Sequence, residues 1–196
     1  YIPESLIRPF SNLLNNMKVL WFGDSISMLR LLPHRVGLNL SIKIKDCSIA
    51  GAPFIASKNE DYQALGVLSQ IQAKTGDGTM AAQYSAISNL ARDGSWTDET
   101  KKQRTDNIDS IRDADMENEI NTVVILAGTN DHNSDIPIDV FKTGIKTAIE
   151  TLLNAYPHIE LYIISPPWRG DKTANNIGKT LEDYVMAEKE IAEAYQ

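Results

Sequence analysis

Four short apolar runs, each rich in β-branched residues, alternate along the chain with stretches of helical periodicity. This alternation is typical of an α/β domain in which helices cover a parallel sheet. The predicted strands are Lys18 to Phe22, Ile42 to Cys47, Thr122 to Ala127 and Glu160 to Ser165. The segment after the fourth strand keeps a helical pattern as far as Gln196, so no fifth strand is predicted.

Helical periodicity is clearest between the last two strands, where apolar residues recur every three or four positions: Phe141, Ile145, Ala148, Ile149 and Leu152. The helix that begins at Ser25 is interrupted or restarted by Pro33, because a proline biases the preceding residue away from the α region. In residues 56–121, Gly76 to Gly78 and the polar run Asp93 to Arg112 break any simple βα rhythm. This segment is predicted to contain one or two helices, one of them around Ala81 to Ala91, with loops between them. A segment of this length between strands is either a functional lid or an insertion that covers one face of the sheet.

Length and composition restrict the fold and the partners. A chain of 196 residues with 42% apolar content can bury the core of one domain spanning 1–196. The net charge of −7 argues against a nucleic-acid partner, since such binding depends on clustered Lys and Arg. No stretch reaches the roughly 18 apolar residues of a membrane-spanning helix. Cys47 is the only cysteine, so no intrachain disulfide can form. A single cysteine does not identify the compartment in which the protein acts, and an extracellular or virion-associated location stays open.

Small and polar residues follow three of the predicted strands at the point where each strand ends. Ser25, in Gly-Asp-Ser, opens a helix, where backbone N–H groups and the helix dipole suit a nucleophile whose attack creates an oxyanion. Gly51 follows the second strand and Asn130 the third. Open α/β sheets bind ligands outside the carboxyl ends of their strands, so these residues are candidates for one site. Each motif taken alone is also an ordinary turn.

In this order, Gly-Asp-Ser after the first strand, Ala-Gly after the second and Gly-Thr-Asn-Asp after the third resemble the SGNH, or GDSL-type, hydrolase family. The resemblance covers Val19 to Ser165 and the helix that follows, with a loose match in the middle. It implies a flavodoxin-like three-layer α/β/α fold and the hydrolysis of esters, often acyl groups on carbohydrates or lipids. The implied substrate is a small-molecule or glycan ester.

The resemblance also implies a role for individual residues. Ser25 matches the nucleophile of the family. The oxyanion hole is matched by the backbone N–H groups of Ser25 and Gly51 and by the Asn130 side chain. Asp24 and Asp131 match structural or supporting positions beside these groups.

The chain departs from the family pattern in its acid–base residues. SGNH hydrolases carry a base and its carboxylate partner in an Asp-x-x-His motif after a fifth strand, and this sequence contains no Asp-x-x-His. His34 is expected on the surface of the first helix, and His158 precedes the fourth strand, at the wrong edge of the sheet. His132 lies on the correct edge and is the remaining substitute, although a base beside an oxyanion donor demands unusual geometry.

The simplest explanation places the catalytic histidine beyond Gln196, in a part of the natural protein that this chain does not contain. Tyr1, in place of an initiator Met, fits the same interpretation. Without a fifth strand, the fourth strand is left as an unpaired apolar edge. We expect a partner chain or a missing C-terminal segment to cover that edge.

Other kinds of site find less support in the sequence. The run Asp113 to Glu117 resembles the start of a calcium loop, but Asn118 stands where that loop needs glycine. Gly76 to Thr79 lacks the lysine and the spacing of a phosphate-binding loop. No metal and no cofactor is expected. Trp168 and Arg169, after the fourth strand, are either substrate contacts or part of a plain surface turn.

Three functions stay open on the sequence alone. The first is a serine ester hydrolase whose acid–base dyad is missing from this chain. The second is a catalytically inactive SGNH-like module that binds carbohydrate or has a structural role. The third is a flavodoxin-like signalling or nucleotide domain with chance motif matches, and it predicts that Ser25, Gly51 and Asn130 do not converge.

Overall fold

A four-stranded parallel sheet forms the centre of the fold. The computed structural model describes residues 16–29, 31–92, 94, 96–167 and 173–195. The strands pair in the order β2-β1-β3-β4, all parallel. They span β1 Lys18–Gly23, β2 Lys43–Asp46, β3 Thr122–Leu126 and β4 Glu160–Ile164. This confirms the four predicted strands, and the order equals the first four strands of the flavodoxin-like arrangement. No fifth strand occurs in the described residues.

Nine helices lie in the described part of the chain: α1 Ser25–Leu29, α2 Leu32–Leu40, α3 Glu60–Ala64, α4 Val67–Thr75, α5 Ala81–Arg92, α6 Asp98–Arg112, α7 Thr129–Asn133, α8 Ile138–Ala155 and α9 Leu181–Glu193. The predicted helix between the last two strands is α8, which buries its apolar stripe. The predicted restart at Pro33 is also confirmed, because α2 begins one residue before that proline. None of the described helices is long and apolar enough to cross a bilayer.

Helices cover the two faces of the sheet unequally, which gives three layers. Leu20 and Ile125 belong to the larger core, which the apolar sides of α4, α5, α6, α8 and α9 complete. Trp21 and Val124 point to the opposite face and pack with residues of α1 and α2. Alternate residues of one strand face opposite sides, so both central strands read as continuous apolar runs. The predicted α/β/α architecture is confirmed.

The middle of the chain is more helical than predicted. Four helices, α3 to α6, occupy residues 60–112 where one or two were predicted, and the polar run Asp93 to Arg112, for which no helix was specified, contains the 15-residue helix α6. Thr97 caps that helix by accepting a hydrogen bond from the Thr100 N–H at 3.1 Å. Ile108 and Ile111 are its buried apolar contacts, and the remaining surface is polar. The N-terminal cap and the burial of two isoleucines thus stabilise α6 despite its low apolar content.

The outer edge of β4 is open in the described structure. β4 pairs only with β3 among the described strands. Tyr162 and Ile164 lie in this strand with 49% and 40% of their surface exposed, whereas every residue of β3 is buried. The unpaired apolar edge that the sequence predicts is therefore present in the described residues.

Candidate active site

The loops that follow β1, β2 and β3 are hydrogen-bonded to one another at the carboxyl edge of the sheet. The Ile49 N–H donates to the Gly23 carbonyl at 2.8 Å, and the Asp24 N–H donates to the Leu126 carbonyl at 3.3 Å. Ser25 is the first residue of α1 and is half-buried. This edge lies at the topological switch point between β1 and β3, where the crossover connections diverge and leave a crevice.

The Asn130 side chain joins the third loop to the second. Its Nδ2 donates to the Ala52 carbonyl at 2.9 Å. The Ala50 N–H in turn contacts the sulfur of Met28, in α1, at 3.3 Å. The side-chain nitrogen of Asn130 carries two N–H donors. One of them is used in the bond to the Ala52 carbonyl, and the second can donate to another acceptor. The residues next to Gly51 therefore contact both α1 and the Asn130 loop.

Gly51 has a backbone conformation that disfavours any side chain. Its φ is +88°, in the left-handed region. A Cβ atom at this position would lie 2.4 Å from Cε1 of Tyr62. The Gly51 N–H donates to no other described residue, and the same holds for the Ser25 N–H. Two backbone donors thus remain available at this edge of the sheet.

Asp131 ties the end of β3 to the loop after β2. It is fully buried, and its carboxylate accepts hydrogen bonds from the N–H groups of Phe54 at 2.6 Å, Ile55 at 2.8 Å and Ala56 at 3.1 Å. Burial raises the pKa of Asp131 to about 7, against the opposing effect of these three donors. This carboxylate fixes the loop beside Asn130.

Asp24 is buried directly before the candidate nucleophile. Its Oδ1 accepts a hydrogen bond from the Ile26 N–H at 2.8 Å, and its Oδ2 has no partner in the described structure. Burial raises the pKa of Asp24 to about 6, and the bond from Ile26 lowers it. The side chain orders the first turn of α1.

The three histidines lie in different environments. His34 is exposed on α2, and His158 is exposed before β4, with its Nε2 2.9 Å from the Met116 carbonyl. His132 is 6% exposed and packs edge-on against Tyr184 of α9, with ring centroids 5.6 Å apart. Its Nδ1 lies 3.3 Å from the Asn133 side-chain oxygen, and its Nε2 is buried without a partner in the described residues. No hydrogen bond joins it to the described atoms of Ser25.

Glu188 of α9 is a buried acid that the sequence reasoning missed. It is 2% exposed, and neither carboxylate oxygen has a partner among the described residues. Its Oε1 lies 2.5 Å from the position that a Cβ of Gly128 would take. Burial raises its pKa well above the usual value, and Asp131 and Asp24 act in the same direction. Its helical spacing of four from the buried Tyr184 was the available signal.

The two predicted substrate contacts after β4 are not located by the structure. Trp168 and Arg169 lie outside the described residues. Within the described ranges, no three His, Cys, Asp or Glu side chains are arranged to hold a metal ion.

Comparison with known proteins gives a fold but no family. The sequence matches no model of a protein family, and it matches no curated protein. One solved crystal structure superposes with a TM-score of 0.62 at 16% sequence identity, covering 93% of this chain and 75% of that one. At this identity the likeness supports the fold alone.

Two further solved structures are similar at lower scores. One, from Streptococcus pneumonia, is provisionally described as a platelet activating factor; it is 17% identical, with a TM-score of 0.49 over 98% of this chain and 71% of that chain. The other, from Slackia heliotrinireducens, is provisionally described as an SGNH hydrolase; it is 14% identical, with a TM-score of 0.46 over 92% of this chain and 73% of that chain. Both superpose too loosely to carry a functional conclusion.

Proposed function

We propose that the protein is a serine ester hydrolase with Ser25 as its nucleophile and a small-molecule or glycan ester as its substrate. The observation that carries this proposal is the 2.9 Å bond from the Asn130 amide to the Ala52 carbonyl, which sets that amide beside Gly51. Together with the bonds between the β1, β2 and β3 loops, it supports a site at one edge of the sheet built from Ser25, Gly51 and Asn130.

The proposed reaction has two steps. Ser25 Oγ attacks the ester carbonyl carbon, the bond to the alcohol oxygen breaks, and the acyl group stays on the serine while the alcohol leaves with a proton. Water then attacks the acyl-enzyme and releases the acid. Negative charge develops on the carbonyl oxygen in both steps, and the N–H groups of Ser25 and Gly51 and the Asn130 amide are its proposed donors. Each such donor contributes about 3 to 4 kcal/mol of transition-state stabilisation.

A base must take the Ser25 proton. The chain contains no Asp-x-x-His, and His132 is the histidine at the carboxyl edge among its three. His132 is therefore the first candidate to test. Its Nε2 is buried without a partner in the described structure, so this atom has lone-pair or proton capacity to spare. In this role it would have to turn from its packing against Tyr184 toward Ser25.

Labelling with a fluorophosphonate and hydrolysis of p-nitrophenyl acetate test the proposal. We expect the wild type to react with both, Ser25→Ala to react with neither, and the control Ser110→Ala, changed on α6, to behave as the wild type. His132→Gln is expected to lower turnover without abolishing folding. Equal activity of Ser25→Ala and the wild type would contradict the role of Ser25.

A second candidate function is a binding module that does not turn its ligand over. The observation that favours it is the packing of His132 against Tyr184, with no hydrogen bond to the described part of Ser25. This function predicts no labelling and no hydrolysis by the wild type, together with retained binding of carbohydrate esters in an equilibrium assay.

A further inference from the structure

Gly51 lies in a tight turn that follows β2. The Ala52 N–H donates to the Ile49 carbonyl at 3.0 Å, so residues 49–52 form a hydrogen-bonded β-turn. Of the two central residues only Gly51 has a positive φ, as a type II turn requires at its third position. The Gly51 N–H belongs to the central peptide group of this turn. Its direction therefore depends on how the two ends of the turn are held.

Two asparagine side chains hold these two ends. Asn130 Nδ2 donates to the carbonyl of Ala52, the last residue of the turn, at 2.9 Å. Asn107 Nδ2, from α6, donates to the carbonyl of Ser48, directly before the turn, at 2.6 Å. Ser48 is fully buried, and no other described residue donates to its carbonyl. Loss of the Asn107 amide would therefore leave a buried acceptor without a partner.

The bond from Asn107 also fixes the turn relative to the loop that carries Ser25. The Ser48 carbonyl and the Ile49 N–H belong to one peptide group. That N–H donates to the Gly23 carbonyl, in β1, at 2.8 Å. Because the carbonyl and the N–H of a trans peptide point in opposite directions, Asn107 and Gly23 hold the same peptide group from both sides. Without the Asn107 bond, this peptide could rotate about the bond that remains.

The helix α6 presents Asn107 from a fixed position. Asn107 is half-buried and adjoins Ile108, which is fully buried together with Ile111. One turn earlier, Arg104 is 6% exposed, and its Cζ lies 4.1 Å from the centroid of the Trp96 ring. This cation–π contact and the two buried isoleucines anchor the helix on both sides of Asn107. The side chain thus reaches the turn from a well-packed support.

We propose that Asn107 is a positioning residue for the oxyanion hole, because it fixes the turn from which the Gly51 N–H is directed at the substrate's carbonyl oxygen. The orientation of a donor for catalysis rests on the proposed esterase function, whereas the holding of the turn does not. Donors aimed in advance at the developing oxyanion stabilise it without reorganisation. Residues 56–121 would then act as a scaffold for the site, beside the two roles that the sequence leaves open.

Hydrogen exchange and NMR test the holding of the turn without catalysis. The control for Asn107→Ala is Asn121→Ala, which removes a 2.7 Å bond from an asparagine amide to the Asn16 carbonyl at the opposite, amino edge of the sheet. We expect the Ala52 N–H to exchange about tenfold faster in Asn107→Ala than in Asn121→Ala, and the Gly51 amide resonance to move only in Asn107→Ala. Urea denaturation of each variant separates opening of the turn from global unfolding.

Equal exchange of the Ala52 N–H in Asn107→Ala and in the wild type would overturn the proposal. An acceleration no larger than that in Asn121→Ala would overturn it as well, because it would report a general loss of stability. If Asn107→Ala does not melt cooperatively, Asn107→Asp decides, since it keeps the shape of the side chain but turns an acceptor toward the Ser48 carbonyl. Faster Ala52 exchange in that variant supports the proposal, and unchanged exchange overturns it.

The effect on catalysis is measured as kcat and KM for p-nitrophenyl acetate. Asn107→Ala is expected to lower kcat about 10- to 100-fold and to leave KM within about twofold, because the oxyanion forms only after the substrate has bound. Asn121→Ala is expected to keep both values within about twofold. Equal losses of kcat in the two variants, or a change confined to KM, would overturn the positioning role. If the wild type neither hydrolyses the ester nor reacts with a fluorophosphonate, the proposed esterase function fails, and the exchange measurement alone decides whether Asn107 fixes the turn.

Discussion

Alanine at position 51 is predicted to destabilise the protein through two separable effects. Gly51 has a φ of +88°, where a Cβ is strained whatever space surrounds it. The same Cβ would lie 2.4 Å from Cε1 and 2.9 Å from Cδ1 of Tyr62, well inside van der Waals contact. The ring must therefore move, or the loop that carries Gly51 must.

The two effects have different magnitudes. A left-handed conformation costs a residue with a Cβ about 1 to 2 kcal/mol. Forcing one more carbon into a packed site costs about 1 to 3 kcal/mol. Alanine also restricts the unfolded chain, which offsets about 0.4 to 1 kcal/mol. The expected loss for Gly51→Ala is therefore about 1 to 5 kcal/mol of the free energy of unfolding.

Two other glycines provide matched controls. Gly78 has a φ of +70° and no atom within 4 Å of its Cβ position, so Gly78→Ala carries the conformational strain alone. Gly144 lies within α8, and its Cβ would meet Cγ2 of Ile55 at 2.2 Å, so Gly144→Ala carries the steric clash without left-handed strain, offset by about 1 kcal/mol from the higher helix propensity of alanine. Urea denaturation monitored by circular dichroism gives the free energy of unfolding of each variant.

The reasoning predicts that Gly51→Ala is more destabilising than Gly78→Ala by the cost of the clash. It also predicts that Tyr62→Leu, which removes the ring, recovers part of that loss in the double variant. Equal losses for Gly51→Ala and Gly78→Ala, with no coupling to Tyr62, would refute the contact between the ring and the glycine. In the proposed esterase, Gly51→Ala should also lower kcat, because it displaces a backbone donor.

Three further predictions concern polar groups. Asn130→Ala loses its bond to the Ala52 carbonyl and is expected to cost about 1 kcal/mol of stability in a urea melt; in the esterase assay it should lower kcat about 100- to 1,000-fold. Raising the pH from about 4 to about 8 should lower the free energy of unfolding, and Glu188→Gln should flatten that dependence. Lys58 pairs with Asp135 and holds its pKa at about 2, so stability should fall as the pH drops from about 4 toward 2, less so in Lys58→Met.

The strands were predictable because their signal is local. Runs such as Thr122 to Leu126 are apolar at every position after the first, as buried parallel strands largely are, and the parallel arrangement then puts the following loops at one edge. That is why residues as far apart in the chain as Gly51 and Asn130 could be grouped from the sequence. Whether the Ser25 hydroxyl acts as a nucleophile stays a prediction.

The helix α6 and the buried charges were missed because their signals are weak or distant. Only Ile108 and Ile111 supply the apolar stripe of α6, so its periodicity is faint, although Thr97 and the acidic first turn did mark a helix start. The burial of Arg104 and of Glu188 depends on which segments pack against them in three dimensions. No local pattern encodes that, since both residue types are ordinarily exposed on helices.

The buried acids at this edge determine the direction in which the free energy of unfolding changes with pH. Burial raises the pKa of Asp24 to about 6 and of Asp131 to about 7, from an ordinary value of 3.8, and it raises that of Glu188 as well. The unfolded chain releases these protons at lower pH than the folded one. Stability is therefore greatest near pH 4 and falls as the pH passes the folded values, by on the order of 4 kcal/mol for Asp131 alone. Glu188 accepts no hydrogen bond in the described structure, so Glu188→Gln removes a titration without removing a contact. An identical pH profile for Glu188→Gln and the wild type would mean that this carboxyl reaches water in solution.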